Sequence, residues 1–140
     1  MTSERQGTRC KYLIDTSALY PMLLSGMAFD SDECAVSSLT KYEIGNALWR
    51  EYRQRKLKDP KRIAAIFSEA ISGMHEMEIS AISDVLVIAV GRSLTFYDAS
   101  YAHIAEREGM KLVTEDADLL RKCKTAITIK DLERERLILP

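Results

Sequence analysis

Lys11 to Leu24 reads KYLIDTSALYPMLL, and the reading of this stretch decides the fold. Its first residues form a short apolar run that stops at Asp15. The hydroxyl pair Thr16-Ser17 supplies N-cap chemistry, and ALYPMLL then continues at helical length until Gly26. The pattern predicts a strand (Lys11 to Asp15) feeding directly into a helix. Pro21 falls within about the first turn of that helix, where backbone donors lack intrahelical partners, so the proline is tolerated.

The same alternation recurs along the chain. CAVS (Cys34 to Ser37) predicts a second strand, and from about Thr40 the positions Tyr42, Ile44, Ala47, Leu48 and Tyr52 suit one helix face. Asp59-Pro60 is an N-cap followed by proline at the first helical position. Ile63, Ile66, Phe67, Ala70, Ile71 and Met74 then recur at helical spacing, with His75 at the end of that helix. A short extended piece at Glu78 to Ser80 precedes another apolar stripe, Ile82, Val85, Leu86, Ala89 and Val90. LTFYD reads as an extended segment halted by Asp98, which opens a helix stopped by Gly109. KLVT (Lys111 to Thr114) predicts a strand leading to Asp116 and a short helix. AITI (Ala126 to Ile129) predicts a last strand, and the charged tail, Lys130 to Leu139, is helical at its start. Strands alternating with helices require right-handed crossovers, hence an α/β class with a mostly parallel sheet covered on both faces.

With 140 residues, 46% hydrophobic and 29% charged, the chain suits one domain spanning residues 1–140 with its own core. No apolar run approaches transmembrane length and the first ten residues are polar, which predicts a cytoplasmic protein without signal peptide or anchor. Cys10, Cys34 and Cys123 are widely spaced and form no CxxC pair, so they read as reduced structural thiols. Net charge is −1 but unevenly spread: seven cations and two carboxylates between Trp49 and Arg62 leave that segment at +5. The basic segment Arg50 to Arg62 suits either an RNA backbone or a solvated or partner-binding face.

Four acids, Asp15, Glu43, Asp98 and Asp116, each stand where a strand ends or a helix begins. In open parallel sheets ligands bind beyond the carboxyl ends of the strands, so all four can share one rim. Each also has a structural role to fill. Asp98 and Asp116 suit N-caps, Asp15 closes a strand onto a helix, and Thr40-x-x-Glu43 fits a capping box. Capping alone does not require recurrence at one edge. Gathered together, the four form an oxygen-only pocket whose repulsion a hard divalent cation relieves, which points to metal-assisted phosphodiester chemistry with Mg²⁺ or Mn²⁺. His75 and His103 have the placement of neither ligand nor base, and no GxxxxGK[ST], GxGxxG or GxSxG motif is present.

LIDTSAL (Leu13 to Leu19), YEIGNAL around Glu43, LTFYDASYAHIAE (Leu94 to Glu106) and LVTEDADLL (Leu112 to Leu120) resemble, in order, the four signature segments of PIN domains and, among these, of VapC-like toxins. The resemblance implies a Rossmann-like three-layer α/β/α fold and an Mg²⁺- or Mn²⁺-dependent endoribonuclease that leaves a 5′-phosphate and a 3′-hydroxyl. It also implies a homodimer and, in the toxin branch, a small antitoxin partner. Asp15, Glu43, Asp98 and Asp116 match the family's acidic quartet as both catalytic and metal residues, with Thr16 and Thr114 as hydroxyls beside it. Asp118 is a further acid near the fourth segment, and Pro21 departs from the pattern. Two other readings remain: an RNA-processing PIN nuclease without an antitoxin, and a non-enzymatic receiver-like Mg²⁺-binding module. Tyr12, Tyr20, Tyr42, Trp49 and Tyr52 suit either base stacking or a core or dimer seam.

Overall fold

The computed structural model describes residues 10–138, with side chains through residue 136. Five short strands form the sheet: β1 (Tyr12–Ile14), β2 (Cys34–Ser37), β3 (His75–Met77), β4 (Lys111–Val113) and β5 (Ala126–Ile127). Their order is β3-β2-β1-β4-β5, and every pairing is parallel. Seven α-helices among the described residues connect and flank them: α1 (Thr16–Leu24), α2 (Thr40–Arg53), α3 (Pro60–Ser72), α4 (Ile82–Arg92), α5 (Phe96–Glu108), α6 (Ala117–Lys122) and α7 (Ile129–Ile138).

Successive strand residues face opposite sides, so a strand buried on both faces feeds two separate cores. Tyr12 and Ile14 of β1 pack with Val36 and Val113 against α1, α2, α3 and Leu132 of α7. Leu13 instead packs with Ala35 and Leu112 against α4, α5 and Leu119 of α6. The result is the three-layer α/β/α architecture expected from the alternation of elements.

Local corrections have local causes. LTFYD is not extended: Thr95 caps α5, its hydroxyl accepting the Asp98 amide at 3.1 Å, so Asp98 lies in the first helical turn rather than at the cap. The apolar run is too short for periodicity to separate strand from helix, and the Thr95-x-x-Asp98 spacing is the deciding signal. AITI is a strand only at Ala126–Ile127, because Thr128 and Asp131 form a reciprocal capping pair that starts α7 at Ile129. The extended piece expected at Glu78 to Ser80 lies earlier, at His75–Met77, where α3 has ended and the backbone pairs with β2. Pro21 sits in the second turn of α1, beyond the first-turn position expected, and the helix continues to Leu24.

Helix faces also differ from expectation. The buried face of α2 is Thr40, Ile44 and Leu48, at i, i+4 and i+8, whereas Tyr42 is 78% exposed and Tyr52 also points to solvent. On α4, Val85 and Ala89 are buried while Ile82, Leu86, Val87 and Val90 face outward. One stripe therefore faces the core and another lies uncovered. No helix among the described residues is long and apolar enough to cross a membrane.

Because Leu13 and Ile14 are both 0% exposed and serve opposite cores, truncating either to alanine should remove about 2–5 kcal/mol of stability in urea denaturation. A loss below about 1 kcal/mol at either position would show that one sheet face is not packed.

Candidate active site

The β1–β4 register places Ile14 opposite Val113, so Asp15 and Thr114 leave the sheet side by side. Thr114 Oγ1 donates to Asp15 Oδ2 at 2.7 Å, while Ser17 Oγ at 2.8 Å and the Ala18 amide at 3.1 Å both donate to Oδ1. Asp15 is therefore the N-cap of α1 as well as a carboxylate only 4% exposed. Thr114 Oγ1 in turn accepts the Asp116 amide at 3.0 Å. Asp116 caps α6, its Oδ1 accepting from the Leu119 amide.

Glu43 approaches from the first turn of α2. The capping box with Thr40 does not form: the Thr40 hydroxyl faces inward and accepts the Ser37 amide at 3.1 Å. Glu43 Oε1 instead accepts from Thr16 Oγ1 and Tyr101 Oη, each at 2.6 Å. Tyr101 has spent its only proton on Glu43, so the 3.1 Å contact between Thr40 Oγ1 and Tyr101 Oη is a bond that Thr40 donates. A directed relay follows, from the Ser37 amide through Thr40 and Tyr101 to Glu43 Oε1. Tyr101 is 2% exposed, and burial and its bond to Glu43 hold the phenol protonated. It lies three residues after Asp98 on α5, so one helix supplies both a carboxylate and the hydroxyl that orients another.

The four sequence-selected acids are thus tied to one rim. Asp15 and Asp116 share Thr114, Glu43 bonds the residue after Asp15, and Asp98 begins the helix that carries Tyr101. Their charges sense one another. Burial pushes the Asp15 carboxyl from an ordinary 3.8 to about 6 against the pull of its three donors, with Asp116 adding a smaller push. Asp98 is raised first by burial and then by Asp116, with Glu43 and Asp118 contributing less. Asp118 itself is exposed and paired with Arg121.

The donor chemistry fits a hard divalent cation, since every candidate ligand is a carboxylate and the supporting groups are hydroxyls. Glu43 Oε2 and Asp116 Oδ2 receive no hydrogen bond among the described residues, which leaves each a lone oxygen for a ligand. As the side chains lie, no three Asp, Glu, His or Cys groups among the described residues stand close enough to hold an ion. His103 is occupied elsewhere, its Nε2 accepting the Ser80 amide at 3.3 Å, and His75 lies exposed on β3.

The hydroxyls Tyr101, Thr40 and Ser17 were not legible as site residues. Tyr101 reads as one more apolar position of α5. Only its spacing of one turn from Asp98 marks it, and its partner lies 58 positions away in sequence.

The raised Asp15 value sets the pH dependence of the metal-free protein. Between 3.8 and about 6 the unfolded chain loses the Asp15 proton while the native state retains it, so stability falls as pH rises through that window and is level above it. Asp15→Asn removes the ionisation and keeps the shape. In metal-free buffer near pH 7 its unfolding free energy should exceed that of the unsubstituted protein by about 1–3 kcal/mol, with convergence near pH 4. Parallel stability profiles for the two proteins would contradict the burial argument.

A family model described as "PIN domain" matches residues 12–125. A Pyrobaculum aerophilum protein named Exonuclease VapC9 is 40% identical over 127 residues, covering 87% of this chain and 92% of its own. A second from the same organism, named Ribonuclease VapC3, is 28% identical over 131 residues, covering 84% and 98%. The crystal structure of PAE2754 from Pyrobaculum aerophilum superposes with a TM-score of 0.88 at 38% identity, covering 96% of this chain and 94% of that one. A chain from a toxin-antitoxin complex of Klebsiella pneumoniae shares the fold at a TM-score of 0.60 and 19% identity, covering 84% and 96%. With the family model spanning most of the chain and a relative of this similarity matching nearly end to end, the chain belongs to the PIN domain family.

Proposed function

We propose that the protein is a divalent-metal-dependent endoribonuclease, residues 1–140 acting as one PIN nuclease domain, and the toxin of a toxin–antitoxin pair. The observation that carries this reading is the hydrogen-bonded rim that ties Asp15, Glu43 and Asp116 together next to Asp98, in a chain related to proteins named as nucleases.

Asp15, Asp98 and Asp116, with Glu43 directly or through water, would hold Mg²⁺ or Mn²⁺. The bound ion would lower the pKa of an attacking water and offset charge on the scissile phosphate. The chain's own residues do the positioning. Thr114 and Ser17 fix the Asp15 carboxylate, and Thr16 and Tyr101 hold Glu43 by Oε1, which leaves Oε2, without a partner among the described residues, to orient water. Asp15 and Asp116 cap α1 and α6, and Glu43 and Asp98 lie in the first turns of α2 and α5, where the partial positive charge of a helix N-terminus favours both the carboxylates and a phosphate.

The relatives' names divide between exonuclease and ribonuclease, so the end-on alternative has a specific claim. A circular RNA separates them, because only internal cleavage opens it. Incubation with Mn²⁺ should linearise the circle, and either chelation or Asp15→Asn should reduce the rate at least a hundredfold, with 5′-phosphate ends on the product. An intact circle beside degraded linear RNA would favour the exonuclease. Undiminished cleavage by well-folded Asp15→Asn would contradict the site itself.

An antitoxin partner is supported by an apolar groove of about 550 Å³ between α2 and α3, floored by Ile44, Leu48, Phe67 and Ile71. A homodimer is supported by the outward face of α4, where Ile82, Leu86, Val87 and Val90 are uncovered and the two charged side chains bond back to the chain's own groups, Asp84 to Ser80 and Arg92 to Glu106. Leu86→Glu with Val90→Glu should convert a dimer to a monomer in sedimentation equilibrium. An unchanged mass would place the dimer contact elsewhere.

A further inference from the structure

Helices α2 and α3 pack as a hairpin through Ile44, Leu48, Phe67 and Ile71, and the turn that closes it lies roughly 15 Å along α2 from Glu43, at 1.5 Å per residue. That turn holds an unusual residue. The Lys56 amide donates to the Glu51 carbonyl at 2.9 Å and the Arg55 amide to the Tyr52 carbonyl at 3.0 Å, a complete Schellman ending with Arg55 in the left-handed position at φ 62°. The same ending closes α1 with Gly26 at φ 70°. Glycine takes this conformation without penalty, whereas a side chain there is strained. Among the described residues a side chain takes this conformation twice, at Arg55 and at Ser93 (φ 55°), which ends α4.

The strained backbone brings Arg55 to a concavity of about 560 Å³ lined by Tyr52, Arg53, Arg55, Leu57 and Lys58. Three like charges share its walls. Several cations elsewhere are paired, Lys11 with Glu33, Lys41 with Glu76, Arg92 with Glu106 and Lys111 with Glu135, and what distinguishes this turn is that its three cations converge on one concavity. Among the described residues no ion pair involves Arg53, Arg55 or Lys58, and the nearby Asp59 carboxylate is spent capping α3. Arg53 instead lies over the Trp49 ring, 5.4 Å from its centroid. Uncompensated cations, an exposed tyrosine and a backbone held against its preference together describe an anion site with a stacking surface.

We propose that this turn is a second RNA subsite, in which Arg53, Arg55 and Lys58 hold backbone phosphates of a single-stranded segment and Tyr52 stacks on a base, away from the bond being cut. The proposal rests on the RNA-cleaving reading above and adds a grip on flanking nucleotides. An exposed aromatic ring beside three cations suits a charged backbone that carries bases, which favours RNA over an acidic protein segment as occupant.

The test is fluorescence anisotropy with a labelled single-stranded RNA of about twelve nucleotides, in EDTA so that nothing is cleaved. It compares the full chain with Arg55→Gly and with an Arg53→Gln, Lys58→Gln double variant. Arg55→Gly should raise the thermal midpoint, by relieving the left-handed strain, and weaken RNA binding about three- to tenfold. The slope of log affinity against log salt should fall by about 0.7 for each cation removed. A raised midpoint with unchanged affinity and slope would overturn the subsite. So would a polyglutamate peptide whose binding is lost in the double variant while RNA binding is kept. An unsubstituted protein that binds no RNA in EDTA would also overturn the subsite, whereas a circular RNA and its linear counterpart both left intact with Mn²⁺ would overturn the RNA-cleaving reading, which keeps the two failures apart.

Discussion

Asp15 is an acid that folding removes from water before any cation is supplied. The β1–β4 register puts it against Thr114, the start of α1 gives it the Ala18 amide, and Ser17 closes the remaining side. Those three donors do not offset its burial, since its carboxyl is still pushed up to about 6. A shift of that size corresponds to about 3 kcal/mol held against the charged native state near neutral pH. A proton relieves it in acid, and on the proposed reading a divalent cation would relieve it at neutrality, so the destabilisation built into the fold would favour binding metal.

The surrounding hydroxyls give direction to that charge. Thr114 links Asp15 to the backbone of Asp116, and Tyr101 links Glu43 to Thr40 and so to the end of β2. Each link crosses from one secondary element to another, which fixes carboxylates on separate helices without long side-chain detours. Both cores contribute, because α1 and α2 lie on one face of the sheet while α5 and α6 lie on the other. The sheet's carboxyl edge is the line along which the two layers meet.

Much of this was legible in the residues. Strand–acid–hydroxyl patterns at Asp15 and Thr114 to Asp116 locate two strand ends, and their parallel pairing follows from the helices between them. Segments whose type depends on a single cap were harder. Thr95 and Thr128 each turned an apolar run toward helix, because a hydroxyl three residues before an aspartate outweighs the β preference of two or three neighbours. The faces of α2 and α4 were misassigned in part, since an apolar side chain records no preference between a core and an uncovered surface. Tyr101 was hard to read for a different reason: its spacing of one turn from Asp98 hints at the site, but its role lies in a partner 58 positions away on another helix.

The central claim is that the acidic rim binds a divalent cation through Asp15, and calorimetric titration of Mn²⁺ into the metal-free protein tests it most directly. The account predicts saturable binding near pH 7 that weakens markedly near pH 5, where Asp15 retains its proton, and that is lost in Asp15→Asn. No Mn²⁺ binding at neutral pH, or binding indifferent to both pH and Asp15, would contradict it.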